Sequence, residues 1–133
     1  MPGRRKTLML VDPHSLFRRT VAMVARELDL ADIREVSTIE SAQRQLEHEA
    51  FDALLLDIGD GLASLSLMQN LRSGALRSAA DMPVALTAEA VDAATLALFK
   101  PLQVQRVMLK PFKVKTALEV VSALTGAADR PGH

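Results

Sequence analysis

Hydrophobic positions along this chain fall into two alternating patterns. One consists of short apolar or nearly apolar runs: "LMLV" at 8–11, "IREV" at 33–36, "ALLL" at 53–56, "VALT" at 84–87 and "RVML" at 106–109. All five read as strands, and the continuous apolar run "LMLV" as one covered on both faces of a sheet. In the other pattern, apolar residues return every three or four positions, as on one face of a helix. The first such stretch carries Leu16, Phe17, Thr20, Val21, Val24 and Leu28. In the second, Ser37 with Glu40 three residues on forms a capping box that opens a helix through Ala42 and Leu46. The third runs over Leu65, Met68 and Leu71, beginning several residues after Asp57. The segment "SGALRSAADMP" at 73–83 reads as a loop, residues 89–99 as a fourth helix, and Val114, Ala117, Leu118, Val121 and Leu124 as the stripe of a fifth.

Five strands alternating with five helices predict right-handed crossovers and one parallel sheet with helices on both faces, an α/β domain. It is expected to span 7–124, with tails at 1–6 and 125–133. No internal repeat or second domain is evident. In such sheets ligands sit beyond the carboxyl ends of the strands, at a topological switch point. That rule singles out Asp12, Asp57, Thr87 and Lys110, each at or just after the end of a different strand.

Each of these residues has an ordinary reading when taken alone. Asp12 before Pro13 is a good helix start, with the carboxylate as N-cap and proline in the first turn. Thr87 is a strand-end threonine, and a lysine such as Lys110 is most often solvated. Together, two acids, a hydroxyl and an amine suit phosphoryl transfer. A carboxylate can act as nucleophile and become an aspartyl-phosphate, while an ammonium, a hydroxyl and Mg²⁺ stabilise the phosphoryl oxygens.

Composition narrows the alternatives. The chain has 16 basic and 16 acidic residues, so no net field favours nucleic acid or a membrane surface. It has no cysteine, which excludes disulfides, thiolate nucleophiles and Cys-ligated zinc. No apolar run reaches the roughly 18–20 residues of a membrane span, and the basic start lacks a signal cleavage site, so cytoplasm is the expected location. "GDGLAS" at 59–64 mimics a dinucleotide loop, but Ser64 replaces the third glycine, and Asp57 and Asp60 would repel a pyrophosphate. His14, His48 and His133 show no metal-ligand spacing, and His14 is expected as a loop residue near the site with no evident role. The "RRK" at 4–6 reads as a solvated tail, and four phenylalanines offer no stacking platform for nucleic acid.

The pieces "LVDPHSLFRR", "DALLLD", "VALTAEA" and "MLKPF", in this order and spacing, resemble the receiver domain of two-component response regulators. Each is weak singly; the set is specific and spans residues 7–124. The resemblance implies a flavodoxin-like (βα)5 fold, with Asp57 accepting phosphate from a histidine kinase or phosphotransfer protein. It also implies Thr87 as switch hydroxyl, Lys110 as phosphate-pairing lysine and a cis Lys110–Pro111 bond. Mg²⁺ would be held by Asp12, Asp57 and the Gly59 carbonyl, and an effector would dock on the face of helix four, strand five and helix five.

The departures are equally specific. Receivers carry a second acid where this chain has Pro13, a longer loop where it has "IGDGLAS", and an aromatic where it has Val107. The resemblance therefore implies an atypical receiver with a weakened Mg²⁺ site. It would be a signalling phosphoacceptor and no enzyme beyond its own phosphorylation and dephosphorylation. The alternative is a pseudo-receiver, an interaction module that is never phosphorylated. No output domain is evident in these residues, so the expectation is either action in trans or an excised piece of a longer chain, and self-association as a homodimer stays open.

Overall fold

A computed structural model describes residues 5–59 and 61–126. Its sheet has five parallel strands: β1 (Thr7–Val11), β2 (Asp32–Val36), β3 (Ala53–Asp57), β4 (Val84–Ala88) and β5 (Arg106–Leu109). The helices between and after them are α1 (Ser15–Glu27), α2 (Ile39–His48), α3 (Gly61–Arg72), α4 (Ala93–Phe99) and α5 (Val114–Thr125). A 3-10 turn, Lys100–Leu102, follows α4. The strand order is β2-β1-β3-β4-β5, as a flavodoxin-like (βα)5 domain requires. The order reverses between β1 and β3, so their carboxyl ends flank a crevice.

The period-two geometry of a strand divides the core. Met9 and Val11 of β1, with Leu54 and Leu56 of β3, pack under Leu46, Leu67, Met68 and Phe99 of α2, α3 and α4. Leu8, Leu10 and Leu55 point the other way, onto Val21 and Ala25 of α1 and Ala117, Val121 and Leu124 of α5. Every residue of β3 and β4 is buried, whereas the edge strands β2 and β5 are only partly covered.

Several helix boundaries and faces differ from the sequence expectation. The buried face of α1 is Val21, Ala22 and Ala25, while Leu16 and Leu28 are exposed. Alanines bring α1 close to the sheet, and the longer leucines at its ends turn outward. The cap of α2 is Thr38, not Ser37; its side chain accepts from the Ser41 N–H at 3.1 Å. Thr38 takes the cap in place of Ser37, and Ala42 and Leu46 are the buried residues of the helix. Helix α3 opens at Gly61, several residues past Asp57 as the spacing predicts. Helix α4 starts only at Ala93, because Asp92 caps it by accepting the Thr95 N–H at 2.7 Å. In α5, Val120 joins the buried stripe. Of the expected tails, the Lys6 carbonyl accepts from Asp32 N–H, and Thr125 is buried at the end of α5; residues 1–4 and 127–133 lie outside the described residues.

Candidate functional site

The sheet's own register assembles the pocket. Asp57 and Thr87 are paired residues of β3 and β4. Past β1, the Asp12 N–H still donates to the Val36 carbonyl at 3.0 Å, and past β5 the Lys110 N–H donates to the Ala88 carbonyl at 2.7 Å. Both side chains therefore leave the ladder at its carboxyl edge. The Lys110–Pro111 bond is cis.

Asp12 does not cap α1. Its backbone belongs to the sheet ladder, and the N-cap position falls to His14, whose side chain makes no capping bond. Asp12 is instead fully buried and divides its two oxygens. Oδ1 accepts the His14 N–H at 2.8 Å, closing a turn of the kind aspartate favours, and Oδ2 accepts from Lys110 Nζ at 2.7 Å. Pro13 is carried outside the helix and onto the wall of the cleft.

Lys110 is the centre of the site. Its Nζ lies 2.8 Å from Asp57 Oδ2 as well as 2.7 Å from Asp12 Oδ2. Burial pulls the ammonium down, but hydrogen bonding and charge from Asp12 and Asp57 outweigh it, so its pKa rises above the ordinary lysine value. The Thr87 hydroxyl reaches Asp57 Oδ2 at 3.5 Å, a long contact. Gly59 N–H donates to Asp57 Oδ1 at 2.8 Å. A Cβ at Gly59 would come 3.0 Å from that same oxygen, so a larger residue here would press on the Asp57 carboxylate. Ser64, in the place of the dinucleotide loop's third glycine, is buried with its hydroxyl directed at the Asp57 carbonyl, 3.4 Å away.

Four neighbours were not legible as site residues. Phe17 places its ring 5.0 Å from Lys110 Nζ and meets Phe112 edge-on at 5.2 Å, an aromatic floor that favours the cation. Arg18 donates to the Asp12 carbonyl at 2.8 Å. Glu89, in the loop that the late start of α4 leaves free, comes within 3.2 Å of His14 Nε2. His14 itself, expected near the site with no evident role, sets Nδ1 2.9 Å from Asp12 Oδ1 and 3.1 Å from Lys110 Nζ. The signal for it was the Asp-x-His spacing, which needs a tight turn to bring the two side chains together. His48 is exposed, and Asp60 and His133 lie outside the described residues.

The pocket opens into a cleft of about 630 Å³ lined by Pro13, His14, Thr38, Asp57, Gly59 and Glu89, among others. Asp12, His14 and Asp57 each present a ligand atom, all within 4.8 Å of one another, a donor set that can hold a divalent cation. Among the described residues, no helix is long and apolar enough to cross a membrane.

No protein-family model and no curated protein matches the sequence. Solved structures do match its fold. A response regulator from Thermotoga maritima is similar with a TM-score of 0.76 and 24% identity, over 92% of this chain and 99% of that one. The chemotaxis response regulator CheY4 of Vibrio cholerae aligns with a TM-score of 0.77 and 13% identity, over 91% of this chain and 99% of that one. A response regulator from Burkholderia pseudomallei, with a phosphorylated aspartic acid, calcium ion and citrate, aligns with a TM-score of 0.71 and 21% identity, over 93% of this chain and 69% of that one. The fold is that of response-regulator receiver domains.

Proposed function

We propose that this protein is a receiver that takes a phosphoryl group onto Asp57 and signals through contacts with other proteins. The observation that supports this most is the ammonium of Lys110, held 2.8 Å from a carboxylate that faces an open cleft. In the step, an Asp57 carboxylate oxygen attacks the phosphorus of a phosphohistidine. The P–N bond breaks, and the donor imidazole leaves with the electron pair. Lys110 neutralises charge on the phosphoryl oxygens, and the Thr87 hydroxyl is placed to donate to one of them. A bound divalent cation would add further charge neutralisation, held by Asp12 and Asp57 with the Gly59 carbonyl, and the calcium of the Burkholderia structure supports such a role. Donors are a histidine kinase or phosphotransfer protein. The effector face is α4, β5 and α5, where Leu96, Val104 and Val107 line an apolar hollow of about 410 Å³.

Incubating the protein with acetyl phosphate or phosphoramidate, with and without Mg²⁺, and weighing it intact tests the proposal. One phosphoryl group should add and should vanish in Asp57→Asn. Phosphate mapping to Asp12 or Asp60 would place the site elsewhere. A second reading, the unphosphorylated pseudo-receiver, is favoured by one feature: Lys110 already bridges both buried carboxylates. That reading requires no mass increase under any of these conditions.

Mg²⁺ should bind weakly. It demands near-octahedral oxygen coordination, Pro13 supplies no side-chain oxygen, and Lys110 occupies one oxygen of each carboxylate. In calorimetric titration, Pro13→Asp should tighten Mg²⁺ roughly tenfold or more, as one added nearby charge implies. Tight Mg²⁺ binding in the unaltered protein, or no gain in the variant, would refute the weakened site.

A further inference from the structure

His14 gives the pocket a nitrogen ligand. We propose that Asp12, His14 and Asp57 form a mixed nitrogen–oxygen site selective for transition-metal dications such as Mn²⁺, Co²⁺ or Zn²⁺ over Mg²⁺. The inference rests on the reading of this pocket as the phosphoacceptor site and specifies the cation that serves it.

Three features carry it. First, the turn closed by the His14 N–H on Asp12 Oδ1 holds the imidazole and the carboxylate on one side, with Nδ1 2.9 Å from Oδ1. The three ligand atoms lie within 4.8 Å of one another, so small side-chain rotations bring them to the roughly 2.0–2.2 Å bonds of a dication. Second, His14 Nε2 lies 3.2 Å from Glu89 Oε1. A proton on Nε2 donated to that carboxylate leaves the Nδ1 lone pair for the metal, the carboxylate–histidine arrangement that orients metal-bound imidazoles. Third, the cluster already gathers a cation. Lys110 Nζ sits 2.7, 2.8 and 3.1 Å from Asp12 Oδ2, Asp57 Oδ2 and His14 Nδ1. A dication that takes over these groups frees the ammonium for the phosphoryl oxygens. Imidazole suits transition metals, whereas Mg²⁺ takes oxygen and gives up water reluctantly, so replacing an acid by this histidine shifts the preference.

The test is titration of the full chain with Zn²⁺, Mn²⁺ and Mg²⁺ by calorimetry, with pulsed electron paramagnetic resonance of the Mn²⁺ form to detect a coordinated nitrogen. One Zn²⁺ should bind at least roughly tenfold tighter than Mg²⁺, with a nitrogen coupling in the Mn²⁺ spectrum. His14→Ala and His14→Gln, checked for folding by circular dichroism, should both lose the coupling and most of the preference. His48→Ala should change neither. Lys110→Met should tighten every metal by removing the competing ammonium. Equal Zn²⁺ and Mg²⁺ affinities, no nitrogen coupling, or a preference that survives both His14 variants would overturn the proposal. Phosphoryl uptake on Asp57 without a His14-dependent preference defeats the metal inference alone. A His14-dependent preference without phosphoryl uptake defeats the phosphoacceptor reading instead.

Discussion

Replacing Lys110 by methionine should cost about 3–5 kcal/mol of folding stability at neutral pH and abolish phosphoryl uptake, the largest effect expected of any single change here. Asp12 and Asp57 are buried, and each directs Oδ2 at the same ammonium. Removing that ammonium leaves two carboxylates close together in a desolvated pocket, where each raises the cost of ionising the other. The variant should therefore regain stability as pH falls, since protonating either carboxylate relieves the repulsion. The wild type behaves differently. Its lysine pKa is raised by Asp12 and Asp57 against the downward pull of burial. The pair's stabilisation is thus complete at neutral pH and fades only as pH climbs past the ordinary lysine value of 10.5 and through the raised folded one. Urea denaturation of both proteins between pH 5 and pH 8 checks this. A loss below about 1 kcal/mol, or a variant insensitive to pH, would mean that the pair is no better than a surface ion pair. Adding Asp12→Asn to Lys110→Met should return part of the loss, because one unpaired charge is then gone.

The residues that define the fold were legible because they obey short-range rules. The runs at 8–11, 53–56 and 84–87 lie in strands whose described residues are almost wholly buried, and strand-end position alone picked out Asp12, Asp57, Thr87 and Lys110. What the sequence concealed depends on competition between local and tertiary partners. Asp12-Pro13 is a good helix start in isolation, but the sheet ladder claims the Asp12 backbone and Lys110, 98 residues away, claims its side chain. Ser37 and Thr38 are both able caps, and side-chain periodicity cannot choose between neighbours. His14 and Glu89 come from different loops, so their approach leaves no local trace in the sequence. Phe17 was legible as an apolar helix residue, but its position beside an ammonium was not.

Arg72→Ala should lower stability by about 3 kcal/mol and the melting temperature by roughly 10 °C, although this residue lies outside the pocket. At the end of α3 its guanidinium donates from Nε to the Leu102 carbonyl at 2.7 Å and from Nη1 to the carbonyls of Ala80 and Met82 at 2.8 and 2.7 Å. Nη2 reaches the Gln103 carbonyl at 3.3 Å, where the backbone takes a left-handed turn with φ of 58°. One side chain thereby ties the loop before β4 to the turn before β5. Burial draws the guanidinium's pKa down, with Asp81 opposing, yet arginine stays charged across any accessible range. Truncation would leave the part-buried carbonyls of Leu102 and Met82 without their donor, while those of Ala80 and Gln103 are exposed and can turn to water. Lysine keeps the charge but cannot span both segments, so Arg72→Lys should recover less than half of the loss. The consequence extends to the site, since β4 and β5 carry Thr87 and lead into Lys110. A variant that stays folded at low temperature should show faster amide exchange at the start of both strands, together with slower phosphoryl uptake. Stability within about 0.5 kcal/mol of the wild type would instead mean that solvent already satisfies these carbonyls.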